Sequence, residues 1–483
     1  MRAHRSHQRT ALLAAIVLAL LGVLLAGCSS VAELPPSTSA PVLAPAPVLA
    51  HAPAPQLLLL SDDTLRIPAP PALESPQLKL EMAELQALRR SLTQAQRTAV
   101  QAWDGNAVVR WNEIARQVVA RTQADPLTAS RAYVLLSLAQ YNALQHADTN
   151  QRHFDRHMPG VAQSGISPLV SSNAPGSYPS DHAAVAAASA AILTELFPIE
   201  SPYIQAQRAE HQESRLWAGV NCRSDIDAGV ALGQQIAQKL LERSNADILA
   251  ASSAWDGQIP TGQGIWFSSL QPPMAPLSPH WGTLHPWLMD RPDQFRAPPP
   301  PAFGSPSFRA ALDEVRHISD TRTPEQLRIA KLWEDGRGSA TPPGHWNQIA
   351  IDLFAEHRLS QREVARALVV LNMALMDAGI SSWDAKYTYW LLRPSQADPL
   401  IKPAVPLPNF PAYTSGHAAF SGAAAAFLAA LFPEKQGELQ AMAEQAALSR
   451  VYGGIHYRFD GEQGLIAGQA VGRLAATRMH ELP

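Results

Sequence analysis

The chain has 483 residues, 46% of them apolar and 16% charged, with a formal net charge of −3 at pH 7. That balance describes a packed globular protein long enough for two bundles or domains, and it excludes general disorder. With no basic block and no basic–aromatic interleaving, nucleic acid is not expected as a partner. The two cysteines, Cys28 and Cys222, make no disulfide framework, and no Cys-x-x-Cys-His could attach a c-type haem.

At the amino terminus, Arg2, Arg5 and Arg9 precede an apolar run from Ala11 to Leu25, followed by Ala26-Gly27-Cys28-Ser29. Basic flank, apolar core and small residues before a cleavage point read as a secretory signal; the run is short for a membrane span, so an uncleaved anchor is the lesser alternative. Cysteine directly after Leu-Ala-Gly resembles a bacterial lipoprotein signal. The resemblance implies removal of residues 1–27, acylation of Cys28 and a lipid tether in the cell envelope, with Ser29 pointing to the outer membrane on its periplasmic side. Residues 28–76, rich in Pro and Ala, predict an extended tether.

From Gln77 onward, Ala, Leu and Gln/Glu/Arg recur at helical spacing without alternating strand runs, so an all-α fold is expected. The sequence also repeats itself. Trp111-Asn112-Glu113-Ile114-Ala115 returns as Trp346-Asn347-Gln348-Ile349-Ala350, an offset of 235 (346 − 111). Tyr178-Pro179-Ser180-Asp181-His182 returns as Tyr413-Thr414-Ser415-Gly416-His417, and Ser214-Arg215 with Asp225 returns as Ser449-Arg450 with Asp460, at the same offset. This predicts two related helical bundles arisen by duplication and packed face to face: a first at 77–251 and a second at 346–483. The connecting segment, 252–345, is rich in Pro and Trp and should wrap the bundles, with short helices near Ser307–Ile318 and Thr323–Trp333.

Three pieces of the second bundle carry chemistry. Lys386 and Arg393, seven positions apart, would lie two turns apart on one helix face and aim at one anion; the aromatic neighbours Trp383, Tyr387, Tyr389 and Trp390 are unlike a solvated basic face. Ser415-Gly416-His417, just ahead of the small-residue helix Ala418–Leu431, offers a hydroxyl cap, free N–H groups and the positive helix end. Arg450, His456 and Asp460 add a planar donor fork, an imidazole able to attack or ligate a central atom, and a carboxylate able to fix its tautomer.

Together, Lys-x₆-Arg-Pro, Ser-Gly-His and Ser-Arg-x₅-His-x₃-Asp resemble the superfamily that joins vanadium-dependent haloperoxidases to type 2 phosphatidic acid phosphatases and bacterial acid phosphatases. Trp333-Glu334-Asp335-Gly336, Thr341 to Asn347 and Trp383-Asp384-Ala385-Lys386 extend the likeness to the haloperoxidase branch. The resemblance implies that Lys386, Arg393, Arg450, Ser415 and the Gly416 amide bind the oxygens of vanadate or phosphate. It makes His456 the axial vanadium ligand, or the nucleophile of a phosphatase forming a phosphohistidine. It makes His417 the acid–base group and Asp460 the residue orienting His456, with Trp383 at a possible halide pocket.

The implied cofactor is vanadate, absent in the phosphatase alternative, and the implied partners are hydrogen peroxide and halide, or a phosphate ester. A third possibility is a binding lipoprotein with a relict site. In the first bundle Lys386, Arg393 and His456 face Gln151, Met158 and Asn221, so only His182, Arg215 and Asp225 remain and a scaffold copy is expected. His153 and His157 lack a third metal ligand, and Cys222 reads as a buried thiol.

Overall fold

The computed structural model describes residues 60, 65–159, 166–171 and 174–481. The signal, Cys28 and nearly all of the tether lie outside the described residues. What is described belongs to the compact unit Pro55–Pro483. Its first helices are α1 Pro76–Arg90, α2 Gln94–Asp104, α3 Ala107–Arg121, α4 Pro126–Phe154, α5 Asp181–Leu196, α6 Ser201–Ala218 and α7 Arg223–Ala254. After the connecting segment come α8 Pro306–Thr321, α9 Pro324–Leu332, α10 Thr341–Glu356, α11 Gln361–Tyr389, α12 Pro394–Ala397, α13 Gly416–Leu431, α14 Gln436–Tyr452 and α15 Arg458–Arg478. Among the described residues the only bridged extended pair is Ile265 with Leu391, and the fold is all-α.

The helix starts follow from local chemistry. Asp125 caps α4 by accepting from the Leu127 and Thr128 amides, and Pro126 fits the first turn, where no N–H partner is needed. Ser360 and Glu363 form a reciprocal capping box at the start of α11. The bounds of α4 and α11 differ by 235 at both ends (361 − 126 and 389 − 154), as do those of α5 and α13 (416 − 181 and 431 − 196). Left-handed stops recur likewise: Asp155 and Trp390, Gly219 and Gly454.

One continuous apolar core runs from Trp103 to Ala475, with α4 and α11 crossing within it. Beside that crossing Asn112 Nδ2 of α3 donates to Asn347 Oδ1 of α10 at 2.8 Å, and within it Asn372 Nδ2 of α11 donates to Ser137 Oγ of α4 at 2.9 Å. Each pair joins residues 235 apart (347 − 112 and 372 − 137), so positions that correspond at that offset touch. Helix α11 is long and apolar enough to cross a membrane, yet 94% of its apolar window is buried inside the protein.

Glycines let two helix pairs approach closely. A Cβ on Gly464, Gly468 or Gly472 of α15 would lie 2.7, 2.1 or 2.3 Å from the carbonyl oxygens of Ser415, Ala419 or Ala423. Gly229 and Gly233 of α7 meet the Ser180 and Ala184 carbonyls in the same way. The close approach sets Ser415 and Asp460 side by side, and the Ser415 amide donates to the Asp460 carbonyl at 2.9 Å.

The connecting segment wraps α11. The Trp287, Leu288 and Met289 amides donate to the buried Asp377 carboxylate at 2.7, 2.7 and 2.9 Å. Leu277 O accepts from Trp383 Nε1 and Tyr387 Oη at 3.1 and 2.7 Å, and Arg296 forks onto Asp384. The element edges differ from expectation by a few residues. Helix α7 continues to Ala254, past 251, and α10 starts at Thr341, ahead of 346, because Pro342 and Pro343 are tolerated in a first turn.

Candidate active site

Lys386 and Arg393 do not share a helix face, as the sequence spacing suggested. Helix α11 ends at Tyr389, where Trp390 turns left-handed at φ 49°. Leu391 then bridges to Ile265, and Arg393 is extended at the start of α12. The two side chains converge all the same. Lys386 Nζ donates to the Pro411 and Ala412 carbonyls at 2.9 Å each and to that of Thr414, while Arg393 Nε donates to Phe410 O at 3.0 Å. Both cations therefore reach the stretch that leads into Ser415. The Phe410 ring lies 5.1 Å from Lys386 Nζ and 4.9 Å from the Arg393 guanidinium carbon.

Ser415 is the N-cap of α13, its hydroxyl accepting from the Ala418 amide at 3.4 Å, and Gly416 is the first helical residue. The Trp383 ring packs on Gly416: a Cβ there would sit 3.3 Å from its Cζ3 atom. Trp383 is thus buried beside the anion seat with its indole N–H committed to Leu277 O. Arg450, near the end of α14, donates from Nε to Ser449 Oγ at 2.9 Å and from Nη2 to Ala330 O at 2.8 Å.

The hydrogen bonds assign both histidine tautomers. His456 Nδ1 lies 2.8 Å from Asp460 Oδ2, an acceptor, so Nδ1 carries the proton. Nε2 is left with its lone pair, which accepts from Arg393 Nη1 at 3.0 Å. Asp460 Oδ2 also accepts from the Tyr457 amide at 3.1 Å, which holds the carboxylate in place. His417 Nε2 lies 3.2 Å from Glu334 O and must donate, leaving Nδ1 as the acceptor nitrogen.

Electrostatics identify what such a site lacks. Lys386, Arg393 and Arg450 are each 1% exposed or less, with Asp460 the carboxylate among them. Burial first, then mutual repulsion with Arg393, holds the Lys386 ammonium well below its ordinary value. Burial lowers Arg393 and Arg450 to about 10, and burial with the neighbouring cations holds His417 and His456 well down. Burial pushes Asp460 up to about 7 against the pull of Lys386 and Arg393. Arg393 Nη2 is buried with no partner, as is Asp460 Oδ1. Three desolvated cations and an orphaned guanidinium N–H fit a multiply charged oxyanion.

Several partners were invisible in the sequence. The carbonyls of Ala330, Glu334, Phe410 and Ile455 position Arg450, His417 and Arg393, and a backbone acceptor carries no side-chain signature. Phe410 could have been suspected from its place directly before Pro411, ahead of the serine–glycine–histidine turn. In the first half, Asn221 at the His456 position is tied to Ser177 O and Ser180 Oγ, and Arg156 reaches Asp225 at 3.3 Å. Cys222 is buried, while His153 and His157 are exposed.

Residues 366–482 match the model of the PAP2 superfamily. The vanadium chloroperoxidase of Curvularia inaequalis is 30% identical over an alignment of 188 residues, covering 30% of this chain and 31% of that protein, about a third of its length. Among solved structures, the first bacterial vanadium-dependent iodoperoxidase superposes with a TM-score of 0.64 at 24% identity, covering 77% of this chain and 95% of that one. A holo-type bacterial vanadium-dependent chloroperoxidase gives 0.54 at 13% identity, covering 75% and 92%. At those identities the two structures establish a shared all-α architecture.

Proposed function

We propose that this chain, whose residues 366–482 match the PAP2 superfamily model and whose fold is shared with bacterial vanadium-dependent haloperoxidases, oxidises halide with hydrogen peroxide at a histidine-held vanadate. The observation that carries this reading is the trio of fully buried cations around one unpartnered Arg393 nitrogen. When bound, vanadate supplies a Lewis-acidic centre of constant oxidation state that activates peroxide toward halide. Lys386, Arg393 and Arg450 would neutralise its oxygens, with the Ser415 hydroxyl and Gly416 amide adding donors at the helix end. The His456 Nε2 lone pair, kept available by the Nδ1–H bond to Asp460, would be the protein ligand. His417, neutral with Nδ1 as acceptor, would take a proton from peroxide and return it to the departing oxygen. Trp383 would wall the halide side.

A phosphomonoesterase is the second reading, favoured by one specific feature: the same His456 Nε2 lone pair is a competent nucleophile toward phosphorus, with three cations stabilising the in-line transition state. The deciding experiment adds orthovanadate to apo protein and measures halide-dependent peroxide consumption beside hydrolysis of a chromogenic phosphate ester. Halide oxidation that requires vanadate is expected, and His456→Ala should abolish it. Ester turnover that vanadate blocks, without halide oxidation, would reverse the order of the two readings. Full activity in His456→Ala would remove both.

A further inference from the structure

The first half, expected to be a scaffold copy, contains a cavity of about 460 Å³ over the positions that match the second-half site. Arg215 and His182, the counterparts of Arg450 and His417, line it together with Met158 and Asn221, which stand where Arg393 and His456 stand in the other half. A vestige that had only to pack would be expected to close, as interiors fill to crystal-like density. This one stays open, within the size range of small-molecule sites.

Two polar side chains line it, and neither has all its donors paired. Arg215 is 2% exposed, and its Nη2 has no hydrogen-bond partner. Its Nε is held by Ser214 Oγ at 3.1 Å, and Nη1 has only a loose contact, 3.8 Å, with the partly exposed Asp104. The second group is set by a buried relay. Trp111 Nε1, which can only donate, lies 3.1 Å from His211 Nδ1, so His211 carries its proton on Nε2. His211 Nε2 then donates to His182 Nδ1 at 2.9 Å, which leaves the His182 proton on Nε2. Burial lowers the His182 imidazole to about 4, so it is a neutral donor at physiological pH. His211 has no counterpart in the second half, where position 446 is alanine, so this relay is particular to the first.

We propose that this cavity is a second, non-catalytic site that binds a small organic carboxylate through Arg215 and His182. The charge inventory selects the class. One buried cation replaces three; the other cation of the lining, Arg362, is half exposed and paired with Asp148, and Asp104 and Asp181 also line the cavity, so a doubly or triply charged oxyanion is disfavoured. A single carboxylate can take the orphaned guanidinium nitrogen and the imidazole N–H and displace the loose Asp104 contact. Leu144, Met158 and Val220 supply an apolar wall for a carbon skeleton, which a bare halide or phosphate would leave unused.

The test is calorimetric titration of the full chain with acetate, benzoate and inorganic phosphate, repeated on Arg215→Gln and Met158→Trp. The second variant fills the cavity while leaving the charge, so it decides the matter if the first fails to fold, with thermal melts reporting folding. Saturable benzoate binding is expected, weakened about tenfold or more in each folded variant, with peroxidase or esterase turnover unchanged. Carboxylate binding that survives Met158→Trp, phosphate binding lost together with Arg215, or no carboxylate binding at all would overturn the proposal.

Discussion

Asp460 Oδ2 accepts from the His456 ring and the Tyr457 amide together, so one oxygen fixes both the tautomer and the approach of the imidazole. In Asp460→Asn the amide oxygen can keep both bonds only as a neutral, weaker acceptor, and the charge that steadies Lys386 and Arg393 is lost. A loss of about 10–100-fold in turnover or oxyanion affinity is expected with the fold intact, checked by kcat/KM beside a thermal melt. The charge pattern also fixes the sign of a proton linkage. Lys386, His417 and His456 are held low and Asp460 is held high without an anion, and negative charge arriving among them and the Arg393 and Arg450 guanidiniums raises all four. Binding therefore takes up protons, and affinity falls as pH rises. Phosphate titrated between pH 8 and 9, where it remains a dianion, should show uptake in buffers of differing ionisation enthalpy; net release would contradict the arrangement. The residues themselves were legible because each side chain has a chemical signature at a fixed spacing. The carbonyls that aim them were not, since every residue has one.

The crossing of α13 and α15 is built from glycine. Gly468→Ala would press a methyl group to 2.1 Å from the Ala419 carbonyl oxygen, a backbone atom that cannot swing aside. A loss of about 1–3 kcal/mol is expected from overpacking, read as a lower urea midpoint, together with displacement of Ser415 from Asp460 and reduced activity. Gly437→Ala on α14, where nothing lies within 4 Å, should instead gain up to about 1 kcal/mol, and the contrast separates packing from helix propensity. The caps at Asp125 and Ser360 and the matched bounds of α4 and α11 came from the structure, whereas the all-α fold could be read from helical periodicity. The end of α11 could not. A left-handed tryptophan is rare; Trp390 is held there by Trp266, whose amide donates to its carbonyl at 2.7 Å, a contact 124 residues away in sequence (390 − 266). Spacing alone therefore made Lys386 and Arg393 look like neighbours on one helix.

The residues proposed for catalysis all lie after residue 380, yet the core beneath them is shared. Helix α11 is apolar on nearly every face, and α4 and α10 cover what α13 and α15 do not. Removing the first half would take α4 off α11, whose Leu368, Leu371 and Leu375 are fully buried, and each leucine bared would lose about 1.5–3 kcal/mol. It would also strip Asn347 of Asn112 and Asn372 of Ser137, leaving polar groups that were buried with their partners. Native proteins hold only about 5–15 kcal/mol in reserve, comparable with that combined loss. Residues 341–483 expressed alone should therefore form a dye-binding, non-cooperative state with no phosphate affinity, and supplying residues 60–340 as a separate chain should restore a cooperative melt and binding together. A fragment that melted in a single sharp transition, without binding a hydrophobic dye, would mean that the second bundle folds independently. The first would then be an appended module, and the contacts between residues 235 apart would be incidental to the stability of the site.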